Sequence, residues 1–392
     1  MPKGDLSDQQ RPFDRLLDRL GAALRDRNSR KQAFGRLLKI LRFILAAVSG
    51  LYAGWLIIAL PLLLRFVGEN NVTFAFFLYV PLQIWLLPLI PLLGCALLLL
   101  QWRLMIVLAL VVPVFARWPM GHRFGDSELP TVAERPAESL TVLNNNRGQH
   151  GNQSLQPFKN AVVADLLVFQ ESSGRAPRFA AASTYAEFPH VAGEAEYVLL
   201  SKFPIRSHEA IKIDTTLYSP TMAARFVIDW NGRDIAVYSV HLPTPRDTLS
   251  YYRRGAFLYG VLGLPGTSWG EKREINQEGW DQRIDIARQL AEQIAADPLP
   301  TIVVGDFNAP HTGYVHSIFD DVLDDSHKTA GSGFGFTYPG TTRNPLSLGG
   351  PWMRIDHIFY DPDHWNATAA IAEKDRTSQH RANAAVLEYS TE

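Results

Sequence analysis

Residues 43–64 (FILAAVSGLYAGWLIIALPLLL) contain no charged side chain over a stretch longer than the ~20 residues a helix needs to cross bilayer hydrocarbon, and no other feature limits the chain more. After a polar break at 65–73 a second apolar run covers 74–100. Gln101, Trp102 and Arg103 interrupt it, and a third run follows at 104–118. The pattern predicts three spanning helices with a tight turn near Arg103; two helices and a re-entrant piece are the alternative. Soluble helices seldom lack a charged face for this long. A cleaved signal peptide does not fit, because the run starts late, exceeds the length of an h-region and is followed by more apolar sequence.

Charge is distributed unevenly around these runs. Residues 1–42 hold 11 Lys/Arg against 5 Asp/Glu, residues 43–139 hold 5 of each, and residues 140–392 hold 22 against 29. The basic segment before the first helix is expected to stay cytoplasmic. The loop 67–73 carries Glu69 and no basic residue, as an outside loop should, and Arg103 returns inside. Three spans then place the acidic domain outside, which in a bacterium is the periplasmic side of the inner membrane. Leu16, Leu17, Leu20, Ala23 and Leu24 recur at helical spacing and suit either an amphipathic helix on anionic lipid or a solvated tail. The single cysteine, Cys95, excludes an intrachain disulfide.

Residues 119–139 are rich in Pro, Gly and charge and read as a linker. From 140 onward the pattern changes to short β-rich runs at 140–143, 166–169, 197–200, 224–229, 235–240, 302–304, 355–360 and 384–387. One helix at 280–296 shows Ile284, Ala287, Leu290, Ala291 and Ile294 on one face and stops at Asp297-Pro298. Residues 140–392 are therefore expected to form an α/β domain, a two-sheet α/β sandwich with helices outside.

Polar residues collect just past the strand ends, where a sheet can hold a metal and a phosphate rigidly. Asn146 follows the first run, Glu171 ends LLVFQE, His241 ends IAVYSVH, and Asp306 and Asn308 end TIVVGDFN. Asp356 and His357 lie in MRIDHIFY, and His380 lies in Ser-Gln-His-Arg. Carboxylates and amides are hard oxygen ligands suited to Mg²⁺ or Mn²⁺, and imidazoles suit proton transfer near neutral pH.

The order Asn…Gln-Glu…His…Gly-Asp-Phe-Asn…Arg-Ile-Asp-His…Ser-x-His-Arg resembles the endonuclease/exonuclease/phosphatase superfamily, most specifically at VVGDFNA (303–309) and RIDHIF (354–359). The set also looks like membrane-anchored bacterial members. The resemblance implies a DNase I-like fold and metal-dependent hydrolysis of phosphate esters by a positioned water. It implies that Glu171 ligates the metal. Asn146 would hold a water or the Asp306 carboxylate, and Asp306 would orient or deprotonate the attacking water. Asn308 would donate hydrogen bonds to the phosphoryl group, and His241 would contact phosphate or help the leaving group. His380 would contact the scissile phosphate, with Asp356 orienting its ring. The family usually has Asp directly before the last His, where this chain has Gln379. The amide keeps an oxygen ligand and removes a negative charge, which implies weaker metal binding.

The substrate class is less constrained. The segment 243–279, with Tyr251, Tyr252, Arg253, Arg254, Phe257, Tyr259 and Trp269, is expected to form a rim over the site. Phe334, Phe336, Tyr338 and Trp352 flank a Gly-rich stretch and suit either a substrate pocket or a packed loop. His311 is expected at the surface. Duplex nucleic acid usually requires a basic footprint, and the acidic balance of 140–392 argues against a non-specific nuclease. A lipid headgroup phosphodiester is the alternative beside a bilayer. The expected partners are the bilayer and a phosphate ester (nucleic acid, lipid headgroup or small phosphoester), with no obligate protein partner. The competing class is a membrane-anchored binding or sensor protein with a degenerate site, motivated by Gln379.

Overall fold

Strands that alternate inward apolar and outward apolar residues must be covered on both faces, and the chain satisfies this with two six-stranded sheets. A computed structural model describes residues 27–148, 154–250, 269–340, 350–374, 376 and 378–390. One sheet runs in the order β13 (Trp365–Ala372), β14 (Asn383–Tyr389), β2 (Ser139–Asn146), β3 (Leu166–Gln170), β5 (Tyr197–Ser201), β4 (His190–Glu194). The other runs β10 (Asp324–Asp325), β12 (Asp356–Tyr360), β9 (Thr301–Asp306), β8 (Arg233–His241), β7 (Thr221–Trp230), β6 (Ile205–Lys212). A short pair, β1 (Arg123–Phe124) and β11 (Ser332–Gly333), stands apart. The expected α/β sandwich is present; seven of the eight expected strand runs lie within a strand, and the eighth, 355–360, lies in β12 but for Ile355.

The sandwich core is formed by residues at period two. Leu140, Val142, Leu166, Val168, Tyr197 and Leu199 from one sheet meet Phe226, Ile228, Ile235, Val237, Ile302, Val304 and Ile358 from the other. The outer face of the second sheet packs under the helix Trp269–Ala295, which contributes Ile284, Ala287, Leu290, Ala291 and Ile294. The outer face of the first sheet is covered by Leu155, Val162, Phe179, Tyr185 and Phe188. The expected linker 119–139 is largely built onto this domain. Arg123 and Phe124 pair with Gly333 and Ser332, Thr131 and Glu134 form a capping box, and Arg135 donates to the carbonyls of Val162 and Val163.

Contacts divide the chain into two units, Met1–Leu56 with Trp85–Pro113, and Ile57–Ile84 with Val114–Glu392. In the first unit, Arg42 Nε donates to the Leu99 carbonyl at 2.9 Å, Gln101 donates to the Arg42 carbonyl, and the Tyr52 hydroxyl donates to the Trp85 carbonyl. In the second unit, residues 72–79 pack against Trp280 of the sandwich domain.

The three expected spans need correction. Helix Arg27–Gly54 continues through a π-helical turn into Leu60–Phe66, and Arg30–Phe66 is the one helix among the described residues long and apolar enough to cross a membrane. Only 22% of its most apolar window is buried, and Phe43 and Leu51 are 75% and 78% exposed, unlike a soluble core helix. The second run forms Val72–Leu78 and Leu82–Leu98, bent by 95°, and makes at most one further span. Pro81 has no N–H to continue the helix and disfavours helical geometry before it. Trp102–Arg117 is 16 residues long and contains Pro113. At 1.5 Å per residue it covers about 24 Å, less than the ~30 Å hydrocarbon core. The segment 16–24 and the aromatic rim 251–268 lie outside the described residues.

Candidate active site

The alternation that builds the core also builds the site. On β2 the inward series Leu140, Val142 continues as Asn144 and Asn146; on β3 Leu166, Val168 continues as Gln170. On β8 Ile235, Val237 continues as Ser239 and His241, and on β9 Ile302, Val304 continues as Asp306. Asp356 precedes Ile358 on β12, and Asn383 precedes Ala385 on β14. Each strand is apolar at one end and polar at the same other end. Register completes the placement: His241 pairs with Asp306, and Asp306 with Asp356, so three functional groups stand side by side across β8, β9 and β12. Gly305 permits this, since a Cβ there would lie 1.9 Å from the Val240 carbonyl oxygen at φ +151°.

Asp306 is the hub. It is 1% exposed, and its Oδ2 accepts from Asn146 Nδ2 at 2.9 Å across the two sheets. Its Oδ1 accepts from the Asn308 backbone N–H at 2.8 Å, and Oδ2 also accepts from Asn308 Nδ2 at 3.3 Å. His241 Nε2 and His380 Nε2 each lie 3.7 Å from Oδ2. Burial pushes the Asp306 carboxyl up, with Asp356 adding to it and the two imidazoles opposing. Asn146 Oδ1 accepts from the Gly148 N–H, so its amide is oriented from both ends.

Both imidazoles are held by their own carboxylates. His380 Nδ1 lies 3.0 Å from Asp356 Oδ2, and His241 Nδ1 lies 2.7 Å from Glu196 Oε1. Burial works to lower the pKa of each. For His380 it is outweighed by Asp356 and Asp306, and for His241 by the Glu196 hydrogen bond and Asp306, so both are raised to about 9. A cationic ring on each side of Asp306 suits an anionic substrate.

Glu171 follows β3 with φ +51°, and its Oε2 is buried with no hydrogen-bond partner. A buried carboxylate oxygen without a donor is costly unless a cation satisfies it. Asp306, Asp356 and His380 also offer ligand atoms within 4.8 Å of one another. The carboxylates here, Glu171, Asp306 and Asp356, are hard oxygen donors of the kind Mg²⁺ or Mn²⁺ takes. The residues therefore fit a divalent ion held by Glu171 with the Asp306 side of the cluster. Gln379 is different: its side chain is exposed, and no hydrogen bond joins it to this cluster among the described residues.

A second group, His316, Asp325 and His357, also brings ligand atoms together. Arg354 Nη1 lies 2.5 Å from Asp325 Oδ2, which already neutralises the only carboxylate. Arg354 also donates to His357 Nδ1, and His357 Nε2 donates to the Ala309 carbonyl at 3.0 Å. This is a buried Arg–Asp–His network beneath the site, and a dication there would meet a guanidinium. His311, expected at the surface, has both ring nitrogens buried, because the turn at Gly121 covers it. Tyr338 reaches His380 at 5.1 Å between ring centroids, while Phe334 and Phe336 stack on each other. Glu196, Ser239 and Tyr79 had no sequence signal, while Gln170 appeared only as the Gln of the Gln-Glu pair. Gln170 Nε2 donates to Asn144 Oδ1 and Ser239 Oγ, bridging the sheets, a role legible only once the strand register was known.

The profile of the Endonuclease/Exonuclease/phosphatase family matches residues 140–380. No curated protein matches the chain. Among solved structures, an endonuclease/exonuclease/phosphatase from Beutenbergia cavernae is 16% identical, covers 64% of this chain and 72% of its own, and has a TM-score of 0.43. Truncated Caenorhabditis elegans TDP2 is 15% identical over 64% of this chain and 98% of its own, with a TM-score of 0.42. Sphingomyelinase C from Streptomyces griseocarneus is 16% identical over 63% and 99%, with a TM-score of 0.41.

Proposed function

The chain belongs to the endonuclease/exonuclease/phosphatase family, and from that premise we propose that it is a membrane-anchored hydrolase of phosphate esters that uses a divalent cation, Mg²⁺ or Mn²⁺, and a positioned water. The observation that carries this reading is the buried Asp306 carboxylate held by Asn146 and Asn308 between two imidazoles.

In this reading Asp306 accepts a hydrogen bond from the attacking water and takes its proton as the new P–O bond forms. The His380 imidazolium faces the phosphoryl oxygens, where negative charge builds, and Asn308 reaches them by turning one N–H away from the Leu242 carbonyl. Asp356 keeps the His380 ring protonated and oriented. The His241 imidazolium, held by Glu196, gives its proton to the leaving oxygen as the ester P–O bond breaks. Glu171 would hold the cation, which when bound neutralises phosphoryl charge. Asn146 orients Asp306, and Gln379 sits outside the cluster as a weaker oxygen donor.

The exposed apolar faces of Arg30–Phe66 support a bilayer anchor, with the 1–42 segment cytoplasmic and the catalytic domain on the periplasmic side of a bacterial inner membrane. A single crossing by Arg30–Phe66 gives this orientation, and the second and third apolar stretches add no net crossing in this reading. An alkaline phosphatase fused after Glu392 is expected to be active; an inactive fusion with a fluorescent counterpart that glows would reverse the orientation.

The full chain in detergent, with Mg²⁺ or Mn²⁺, is to be assayed against bis-p-nitrophenyl phosphate, plasmid DNA and phospholipid. Turnover that Asp306→Ala and His380→Ala abolish is expected. No turnover of any substrate, or turnover unchanged in both variants, would favour a binding protein with an inactive site.

A further inference from the structure

The active-site loop 306–314 leaves β9 and enters the helix Tyr314–Asp320, and neither end of it is held by the sandwich alone. At the first end, Asn308 adopts φ +49°, and its carbonyl accepts from the Tyr79 hydroxyl at 2.8 Å and from Arg283 Nη2 at 3.1 Å. At the far end, Glu69 is fully buried, and its Oε2 accepts from the backbone N–H groups of Tyr314 at 2.7 Å and Val315 at 3.3 Å. Gly313 leaves room for that carboxylate, since a Cβ there would stand 2.8 Å from Glu69 Oε1. Tyr79 and Glu69 both come from residues 65–84, Glu69 from the polar break after the first apolar stretch and Tyr79 from the start of the second.

The strap has its own anchors. Val72 and Ala75 are buried against Trp280, and the Tyr79 ring lies 5.8 Å from the Trp280 ring. The Val72 N–H donates to Gln277 Oε1, and Trp352 Nε1 donates to the Tyr79 carbonyl. Arg65 pairs with Asp320 at 3.1 Å. Charge, hydrogen bonding and apolar packing thus agree on one seating. Asn308 uses its backbone N–H on Asp306 and its side-chain Nδ2 on the Leu242 carbonyl at 3.0 Å and on Asp306 at 3.3 Å, so the Tyr79 hydroxyl, with Arg283, acts on the one backbone group of Asn308 that neither of these holds.

We propose that Tyr79 is a positioning residue for catalysis: through its hydrogen bond to the Asn308 carbonyl, with Glu69 fixing the other end, the segment 65–84 holds the active-site loop in its working geometry. This rests on the assignment of Asp306 and Asn308 to phosphate-ester hydrolysis. Tyr79 touches no reacting atom in this scheme. Its hydroxyl sets where the Asn308 side chain points, so its loss shows in turnover before it shows in binding.

The test uses Tyr79→Phe in the full detergent-solubilised chain, since phenylalanine keeps the ring on Trp280 and removes only the donor. With bis-p-nitrophenyl phosphate and Mg²⁺ or Mn²⁺, kcat is expected to fall about 10-fold with KM within 2-fold, as for loss of one hydrogen bond of about 1.4 kcal/mol. In an Asn308→Ala background the same substitution is expected to change kcat by less than about 2-fold, because both act through one group. Hydrogen exchange read by mass spectrometry is expected to quicken about 10-fold in peptides covering 307–313 and not in those of β9. A kcat within 2-fold of wild type, a full-sized loss that persists in the Asn308→Ala background, or unchanged exchange at 307–313 overturns the proposal. Asp306→Ala is the separate control: if it keeps turnover, the hydrolytic assignment fails, and the exchange measurement still decides whether Tyr79 holds the loop.

Discussion

Asp306 has more hydrogen-bond donors and cations around it than any exposed carboxylate needs, and each does a separable job. Asn146 crosses from the other sheet to reach Oδ2 at 2.9 Å. A hydrogen bond to a buried charge contributes about 1.5–3 kcal/mol, so Asn146→Ala is expected to lower kcat by roughly 10- to 100-fold with little change in KM. Steady-state kinetics on a chromogenic diester check this; a loss confined to KM would make Asn146 a binding group instead. Glu171 poses a different case, because its Oε2 has no donor. Glu171→Gln is expected to raise the Mg²⁺ concentration for half-maximal activity about 10-fold or more, as changes around metal sites commonly do. A titration that superimposes on wild type would move the cation elsewhere. Gln379 is exposed, and the charge it lacks relative to the family pattern is missing from the rim instead of the buried cluster.

At the scale of elements, Gly305 and the His316 network make the sharpest demands. Gly305→Ala must push β9 away from the Val240 carbonyl and take a φ that alanine avoids. Denaturant unfolding is expected to show a loss of about 2–4 kcal/mol, and a loss under 1 kcal/mol would mean the strands part easily. His316 and His327 are pushed by burial down to about 4 and about 3. Their folded-state values lie below the ordinary 6.5, so the unfolded chain binds more protons below that pH. The stability they contribute is complete above about pH 6.5 and is lost as pH falls through about 4 and then 3. Asp325, held well below the carboxylate range despite its burial by Arg354 and His316, acts in the same direction. Thermal unfolding midpoints measured from pH 6.5 down to pH 4 should therefore fall, a window in which His241 and His380, raised to about 9, add no further slope; a flat profile there would contradict neutral buried histidines.

The strands legible in the sequence are all interior ones. β2, β3, β5, β7, β8, β9, β12 and β14 each have neighbours on both sides, and sheet faces covered on both sides demand continuous apolar runs. The unexpected strands of the two large sheets, β4, β6, β10 and β13, are their four edges. β6 reads IRSHEAIK and is mostly exposed, and β13 is built from small residues, so neither shows a periodic signal. The site residues were legible because they end interior strands. Glu196 and Tyr79 lie in a hairpin and in an apolar stretch, where no local pattern marks a group whose importance comes from residues 45 and 229 positions away.

At the scale of the whole molecule, the compact unit that holds the site contains Ile57–Ile84 as well as Val114–Glu392. A chain cut to 140–392 would uncover Trp280 and lose Val72, Ala75 and Tyr79, about 3 kcal/mol of apolar burial or more. For a domain of this size that is expected to lower the thermal midpoint by roughly 6–12 °C relative to a chain that retains residue 57 onward. Equal midpoints would show that the strap adds nothing to folding.

The seating of Glu69 and Tyr79 on the loop 306–314 also bears on how such a protein can change over generations. An anchor that only tethers is free to drift, to be exchanged for another, or to be lost. Here residues 65–84, spanning the polar break and the start of the second apolar stretch, present a carboxylate and a phenol to backbone groups of the active site. Any exchange of the N-terminal apolar segment must keep residues 65–84 with the sandwich, so the boundary at which such a segment can be swapped lies inside the apolar sequence, not after it.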